Sequence, residues 1–128
     1  MASLLADCFI EGEVLDALDP LKEWRVVIGD DGEVIGAATW HRRCGCYRAW
    51  QLDWIAVSSE ARNQGVGRLL LDRLKAEVIS NDGATIVVET PCDSPARGFY
   101  EACGFQLAGV VPEFYEAGRG TCVYYWTQ

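Results

Sequence analysis

Two glycines, Gly65 and Gly67, head the most leucine-rich stretch of the chain, "VSSEARNQGVGRLLLDRL" (57–74). Glycine inside a helix costs roughly 1 kcal/mol relative to alanine. A pair of them there calls for a tight turn, close packing, or a ligand held by bare N–H groups. Arg62, Asn63 and Gln64 stand just ahead and Arg68 just behind. The first amides of a helix have no intrahelical acceptor, and the aligned peptide dipoles place partial positive charge at that end. Without side chains at 65 and 67, a phosphate can approach the main chain itself. Gly67 also falls on the apolar face of the helix, where it lets helix and sheet approach closely.

Other residues carry possible chemistry. Asp53 interrupts an otherwise apolar strand and shares a face with Gln51. Glu89 ends the short run "ATIVVE" (84–89), at the edge where ligands of parallel strands bind. A carboxylate in either place can acquire a raised pKa and act as a base. The alternative for each is a solvated or ion-paired strand-end acid. Cys44 and Cys46, with His41 nearby, could be half of a metal site, but C-x-C alone is a weak signal and no second ligand pair sits at zinc-like spacing, so no metal is expected. Of the six cysteines, Cys8, Cys103 and Cys122 sit in apolar stretches and read as buried thiols rather than as a disulfide framework.

The elements that must position these groups follow from periodicity. "EWRVVIGDDGEVIGAATW" (23–40) is two β-rich runs around an Asp30-Asp31-Gly32 turn. A third strand covers about 48–57. The period then changes to 3.6, with Leu70, Leu71, Leu74 and Val78 on one face and Arg68, Asp72 and Lys75 opposite. Asn81-Asp82-Gly83 ends this helix and a buried-type strand follows. Strand, helix, strand with a crossover of that length is a parallel βαβ unit. "SPARGFYEACGF" (94–105) predicts a helix with Ser94 as N-cap, Pro95 at its first position and Gly104 at its stop. "FQLAGVV" and "TCVYYWT" are strands, expected to be joined by a long loop, "PEFYEAGRG" (112–120). Helical pieces are expected over 3–10 and 13–18. The fold class is α/β: a mixed sheet, antiparallel at both ends and parallel in the middle, with helices on both faces.

The chain has 128 residues, of which half are hydrophobic and 23% charged, which suits one globular domain over 1–128. A net charge of −8 argues against a nucleic-acid backbone as partner and is weakly consistent with a cationic substrate. No apolar run reaches the ~20 residues that span a bilayer. "MASLLADCFIEGE" has no basic leader, so neither export nor membrane attachment is expected, and the location is read as cytoplasmic. A P-loop would need Gly-Lys-Ser/Thr where Gly67-Arg68-Leu69 stands, and a dinucleotide motif would need glycine where Leu70 stands.

The run R-x-x-G-x-G over Arg62–Gly67, after a strand ending "IAV" and before an amphipathic helix, resembles the coenzyme A motif of the GNAT superfamily of N-acyltransferases. "ARGFYEACGF" (96–105) resembles that family's A-x-x-F-Y-E-x-x-G-F helix. "VVETP" and "PEFYEAGRGTCVYYW" resemble the later strands of one small bacterial-type subgroup. The resemblance spans about residues 24–127. It implies that the diphosphate of acetyl-CoA lies on Arg62, Asn63, Gln64, Gly65, Val66, Gly67 and Arg68, held mostly by main-chain N–H groups. It implies a pantetheine arm between the two parallel strands, along Ile55, Ala56 and Val57, with Asp93 and Arg97 also near the co-substrate. Tyr100 matches the tyrosine credited with protonating the departing thiolate; the alternative is a buried aromatic.

Asp53 and Glu89 are then the candidate bases, with a water chain as a third possibility. Trp24, Glu113 and Tyr115, joined by Phe114, Glu116, Trp40 and Trp54, are candidates to line an amine pocket, although core packing is the commoner fate of tryptophan. Some residues depart from the family pattern. Asp93 stands where asparagine is frequent, Gly118-Arg119-Gly120 replaces an acidic turn, and the usual first strand is expected to be absent, since helical sequence begins almost at Met1. The function implied is N-acetyl transfer from acetyl-CoA to a small-molecule or peptide amine, without metal and with a homodimer suggested by the family. The alternative is a non-catalytic acyl-CoA-binding module.

Overall fold

A computed structural model describes residues 23–46 and 48–128. The helical pieces expected over 3–10 and 13–18, and with them the expected absence of a first strand, lie outside these residues. The described elements are β1 (Trp24–Ile28), β2 (Val34–Arg42), β3 (Ala49–Val57), a 3₁₀ turn (Ser59–Ala61), α1 (Val66–Ser80), β4 (Thr85–Pro91), α2 (Ala96–Ala102), β5 (Gln106–Glu116) and β6 (Arg119–Thr127). The strands form one sheet in the order β1-β2-β3-β4-β6-β5. β3 and β4 are parallel, whereas β1–β2, β4–β6 and β5–β6 are antiparallel. This is the mixed sheet with one βαβ step that the periodicity implies.

Two compact units divide the chain: the described residues through His41 with Leu52–Ala76, and Arg42–Gln51 with Glu77–Gln128. In the first, the β1–β2 hairpin closes through Gly29 N–H to Glu33 C=O at 2.8 Å and Gly32 N–H to Gly29 C=O at 2.9 Å. The Asp31 carboxylate accepts from Glu33 N–H at 3.0 Å, the local bond that makes aspartate a turn residue. Ala37, Ala38, Leu52, Ala56, Leu70, Leu71 and Leu74 are buried, so the stripe read from the 3.6-residue period is the one that packs. Gly67 is buried on that stripe. The strand supplies a glycine of its own: a Cβ at Gly36 would collide with Val66 Cγ1 and lie 3.4 Å from Leu70 Cδ1. The absent side chain of Gly36 therefore lets α1 begin close against the sheet.

In the second unit the parallel ladder runs from Ala49↔Thr85 to Gln51↔Val87, and β4 continues to Pro91 paired with β6. Ile86, Val88, Phe105, Cys122 and Tyr124 form its core. Ser94 caps α2 as expected, its Oγ accepting from Ala96 N–H at 3.1 Å. The helix closes with Gly104 N–H to Glu101 C=O and Phe105 N–H to Tyr100 C=O, at 3.1 and 3.0 Å. That pair of bonds is a Schellman motif, and it requires the left-handed φ of +90° that Gly104 adopts.

The long loop expected over 112–120 is corrected: β5 runs on to Glu116 and a two-residue turn returns it into β6 at Arg119. Two features hide this strand from a periodicity reading. The register shifts between Val111 and Glu116, where Glu113 has a φ of 55°. β5 is also an edge strand with nearly every residue exposed, so no alternation of burial is imposed on its sequence. The described cysteines are free thiols, with Cys103 and Cys122 buried.

Leu74→Ala empties a fully buried position and should cost about 2–5 kcal/mol. Gly36→Val should cost about 1–3 kcal/mol through overpacking against the stiff, buried Val66. Denaturant titration checks both.

Candidate functional site

The segment from Val57 to Gly67 is built as a platform. Ser58 N–H bonds to Ile35 C=O at 2.9 Å, tying the strand end to β2, and Ala61 N–H bonds to Ser58 C=O at 3.0 Å. Arg62 Nε donates to Val57 C=O at 3.2 Å, so this arginine braces the turn across its base. Gln64 Nε2 donates to Glu60 C=O at 3.3 Å. The backbone then reverses through two left-handed residues, Asn63 at φ 66° and Gly65 at φ 81°. Arg62, Asn63, Gln64, Gly65 and Arg68 are exposed. The first bond of the α1 ladder runs from Leu69 N–H to Gly65 C=O at 2.9 Å, so the amides of Val66 and Gly67 precede it. A Cβ built on Gly65 would meet nothing within 4 Å. Its glycine identity is therefore set by the turn angle, and the space above it is open. Such a corner suits an anion.

Upstream on β3, Ile55 and Val57 are half-buried and Ala56 is buried. Asp53 is not a lone carboxylate: His41 Nδ1 on β2 lies 2.7 Å from its Oδ2, with side-chain exposures of 54% for His41 and 20% for Asp53. Sequence reading placed His41 only beside the cysteine pair. The available signal was strand alternation, but matching it to Asp53 needs the register of two strands.

In the second unit Tyr100 is 4% exposed on α2, with Phe99, Phe105 and Tyr124 ring centroids 5.4, 5.7 and 6.2 Å away. Burial pushes its phenol pKa far up, with smaller contributions from Tyr115 and Cys103, so it stays neutral across the physiological range. Tyr124 was not foreseen. It is fully buried, its hydroxyl donating to Glu101 Oε2 at 2.8 Å and accepting from Arg97 Nε at 3.1 Å. Arg97 also donates to Cys92 C=O at 3.2 Å. The bond to Tyr124 is the first cause of its raised pKa. Arg97 and Glu101 are thus clamped about one phenol.

Glu89 is exposed on β4, opposite Val123. Asp93 faces Arg119, Nε to Oδ1 at 3.6 Å, and the Arg119 guanidinium sits 5.4 Å from the Tyr115 ring centre. Tyr115 Oη and Thr121 Oγ1 are 3.2 Å apart. The Glu113 carboxylate accepts from Gly118 N–H at 2.7 Å, closing the β5–β6 turn. Trp24 is half-buried on β1, Trp40 is core at 4% exposure, and Arg25 lies 4.8 Å over the Trp40 ring. Cations of the protein itself occupy two of the aromatic faces considered for an amine. Among the described residues no group of three or more His, Cys, Asp or Glu is placed to hold a metal ion, and no helix is long and apolar enough to cross a membrane.

The architecture is α/β: a mixed sheet whose parallel step is spanned by a helix that starts at a glycine turn. The sequence model of the GNAT acetyltransferase domain matches residues 22–107, and the chain belongs to that family. A crystal structure assigned to the GNAT acetyltransferases, from Desulfovibrio desulfuricans, is 25% identical, with a TM-score of 0.86 over 98% of this chain and 88% of that one. An aminoglycoside 6′-N-acetyltransferase solved with coenzyme A shares the fold at 19% identity and a TM-score of 0.80, over 98% and 87% of the two chains. A nourseothricin acetyltransferase is 25% identical, with a TM-score of 0.76 over 85% and 66%.

Tyr124→Phe should cost about 1–3 kcal/mol, because it removes the hydroxyl that pairs both Arg97 and Glu101. Thermal and denaturant unfolding measure that loss.

Proposed function

We propose that this chain is an acetyl-CoA-dependent N-acetyltransferase, moving an acetyl group to a primary amine of a small molecule or peptide by direct attack in a ternary complex. The observation that carries the reading is the turn at Asn63 and Gly65. It presents the amides of Val66 and Gly67 ahead of the α1 ladder, between Arg62 and Arg68, in a chain whose net charge is −8. A local reversal of charge at a helix N-terminus favours a diphosphate. Family membership and a coenzyme A-bound neighbour of the same fold support the choice of acetyl-CoA. The diphosphate is assigned to this loop rather than to Asp93 and Arg97, whose side chains are engaged by Arg119 and Tyr124.

The reaction is attack of an amine nitrogen on a thioester carbonyl, with thiolate as the leaving group. Tyr100 is assigned to the thiolate. The burial that keeps its phenol neutral also opposes leaving a phenolate behind. It therefore acts as a hydrogen-bond donor to the sulfur while negative charge develops there, with the final proton drawn from solvent. An aminoglycoside and nourseothricin are the acceptors named for two of the neighbours, and the acidic net charge of this chain suits a cationic amine.

Thiol release from acetyl-CoA across a panel of amines tests the activity. Wild type should turn over at least one amine, and Tyr100→Phe should lower kcat by about 10–100-fold with little change in acetyl-CoA affinity. Binding without turnover on every amine would favour a non-catalytic acyl-CoA-binding module instead. Gly65→Glu should abolish coenzyme A binding by calorimetry, the new side chain carrying the wrong charge into open space, while the positive φ at this turn costs about 1–2 kcal/mol of stability and the fold survives. Unchanged affinity would move the diphosphate elsewhere.

A further inference from the structure

We propose that His41, held by Asp53, is the group that takes the proton from the acceptor amine, with Asp53 a positioning residue rather than the base. This inference rests on the acetyltransferase reading and names a residue that the sequence motifs do not contain. The two side chains come from different strands, β2 and β3, twelve residues apart in sequence, and meet at 2.7 Å between Nδ1 and Oδ2. A carboxylate only accepts hydrogen bonds, so Nδ1 carries the hydrogen and donates it to Asp53. That tautomer leaves Nε2, on the far side of the ring, with a lone pair. Exposure points the same way. His41 is 54% exposed and Asp53 20%, so an incoming amine meets the imidazole before the carboxylate.

The placement along β3 fits. A strand rises ~3.3 Å per residue, so Asp53 lies about 13 Å back from Val57, where the glycine turn begins. If the diphosphate rests at that turn and the arm extends along the strand, the thioester falls back toward this pair.

The chemistry needs an acceptor there. An alkyl ammonium has a pKa of about 10 and no lone pair with which to attack. His41 Nε2 takes one ammonium proton and becomes imidazolium, its Nδ1–H still bonded to the Asp53 carboxylate. The freed nitrogen pair forms the N–C bond while the carbonyl π pair moves onto oxygen, to return as the thiolate departs. The C–S bond then breaks, and its pair leaves on sulfur. The second proton leaves the now acidic adduct nitrogen to water, the imidazolium returns its proton to solvent, and the thiolate is protonated. The sum is ammonium plus thioester giving amide, thiol and one proton.

The test compares an alkyl amine with its β,β,β-trifluorinated analogue, which is similar in size but largely uncharged near neutral pH, so its nitrogen pair is free to attack without a base. His41→Asn is the key variant, because the asparagine amide nitrogen can occupy the place of Nδ1 and keep the bond to Asp53 while no proton-accepting nitrogen remains. It should lower kcat/KM for the alkyl amine by about 100-fold or more and for the fluorinated amine by less than about fivefold. Asp53→Asn should show the same selective loss. The double variant should be no worse than His41→Asn alone, as expected of groups acting as a unit. Coenzyme A affinity and unfolding midpoint, measured alongside, should match wild type. An unchanged rate in His41→Asn, or an equal loss on both amines, would overturn the proposal while leaving the acetyltransferase reading standing. A wild-type protein that acetylates no amine would overturn both.

Discussion

An α-helix cannot pair its own first amides, and this chain turns that deficit into a surface feature. The corner before α1 depends on backbone angles that side chains resist: Gly65 and Asn63 both have positive φ. With those two residues in place, the chain leaves β3, reverses, and enters the helix with the N–H groups of Val66 and Gly67 ahead of the first ladder bond. Everything around the corner stiffens it. Ser58 is bonded to β2, and Arg62 reaches back to the Val57 carbonyl. A loop so tied meets its ordering entropy on folding, and the proposed diphosphate would find it already ordered.

The second unit is organised on a different principle, a buried polar group satisfied on both sides. Tyr124 is fully buried, yet its hydroxyl both donates and accepts, to Glu101 and from Arg97. These two residues lie one turn apart on α2, so a single phenol from β6 fixes the rotation of that short helix. Tyr100 lies on the same helix between them, and its ring is seated against the Tyr124 ring. The direction of the Tyr100 side chain is thus set by a polar clamp as well as by apolar packing. A seven-residue helix has little stability of its own. The clamp and the Schellman closure at Gly104 supply what its length does not.

Local signals were read well from the chain because local physics imposes them. The Asp-Gly turn, the leucine stripe of α1, the serine cap of α2 and its glycine stop each involve residues within about four positions of one another, and all stand in the structure. Reading failed where an outcome depends on register or on an edge. β5 has one edge unpaired and a shift at Glu113, so nothing in its sequence alternates, and the eye sees a loop. Of the site candidates, the loop residues are legible as a motif, and Asn63 and Gly65 turn there with positive φ. Glu113 and Tyr115 were chosen by residue type alone. Type does not reveal that one carboxylate closes its own turn on Gly118, or that one aromatic face already carries Arg119.

His41 shows the same limit from the other side. On sequence its nearest neighbours of interest are Cys44 and Cys46, which invites a metal. In space its neighbour is Asp53, because β2 and β3 lie side by side in the sheet and bring residues twelve apart in sequence within 2.7 Å of each other. The pairing also changes how Asp53 must be read. A half-buried aspartate alone on a strand is a candidate base whose accessibility decides its use. An aspartate accepting from an imidazole has already spent one oxygen on holding the ring, and the reactive lone pair has moved to a more exposed atom. The proposed acid–base chemistry at this strand therefore belongs to two residues, and neither of them discloses the pairing without the register that joins them.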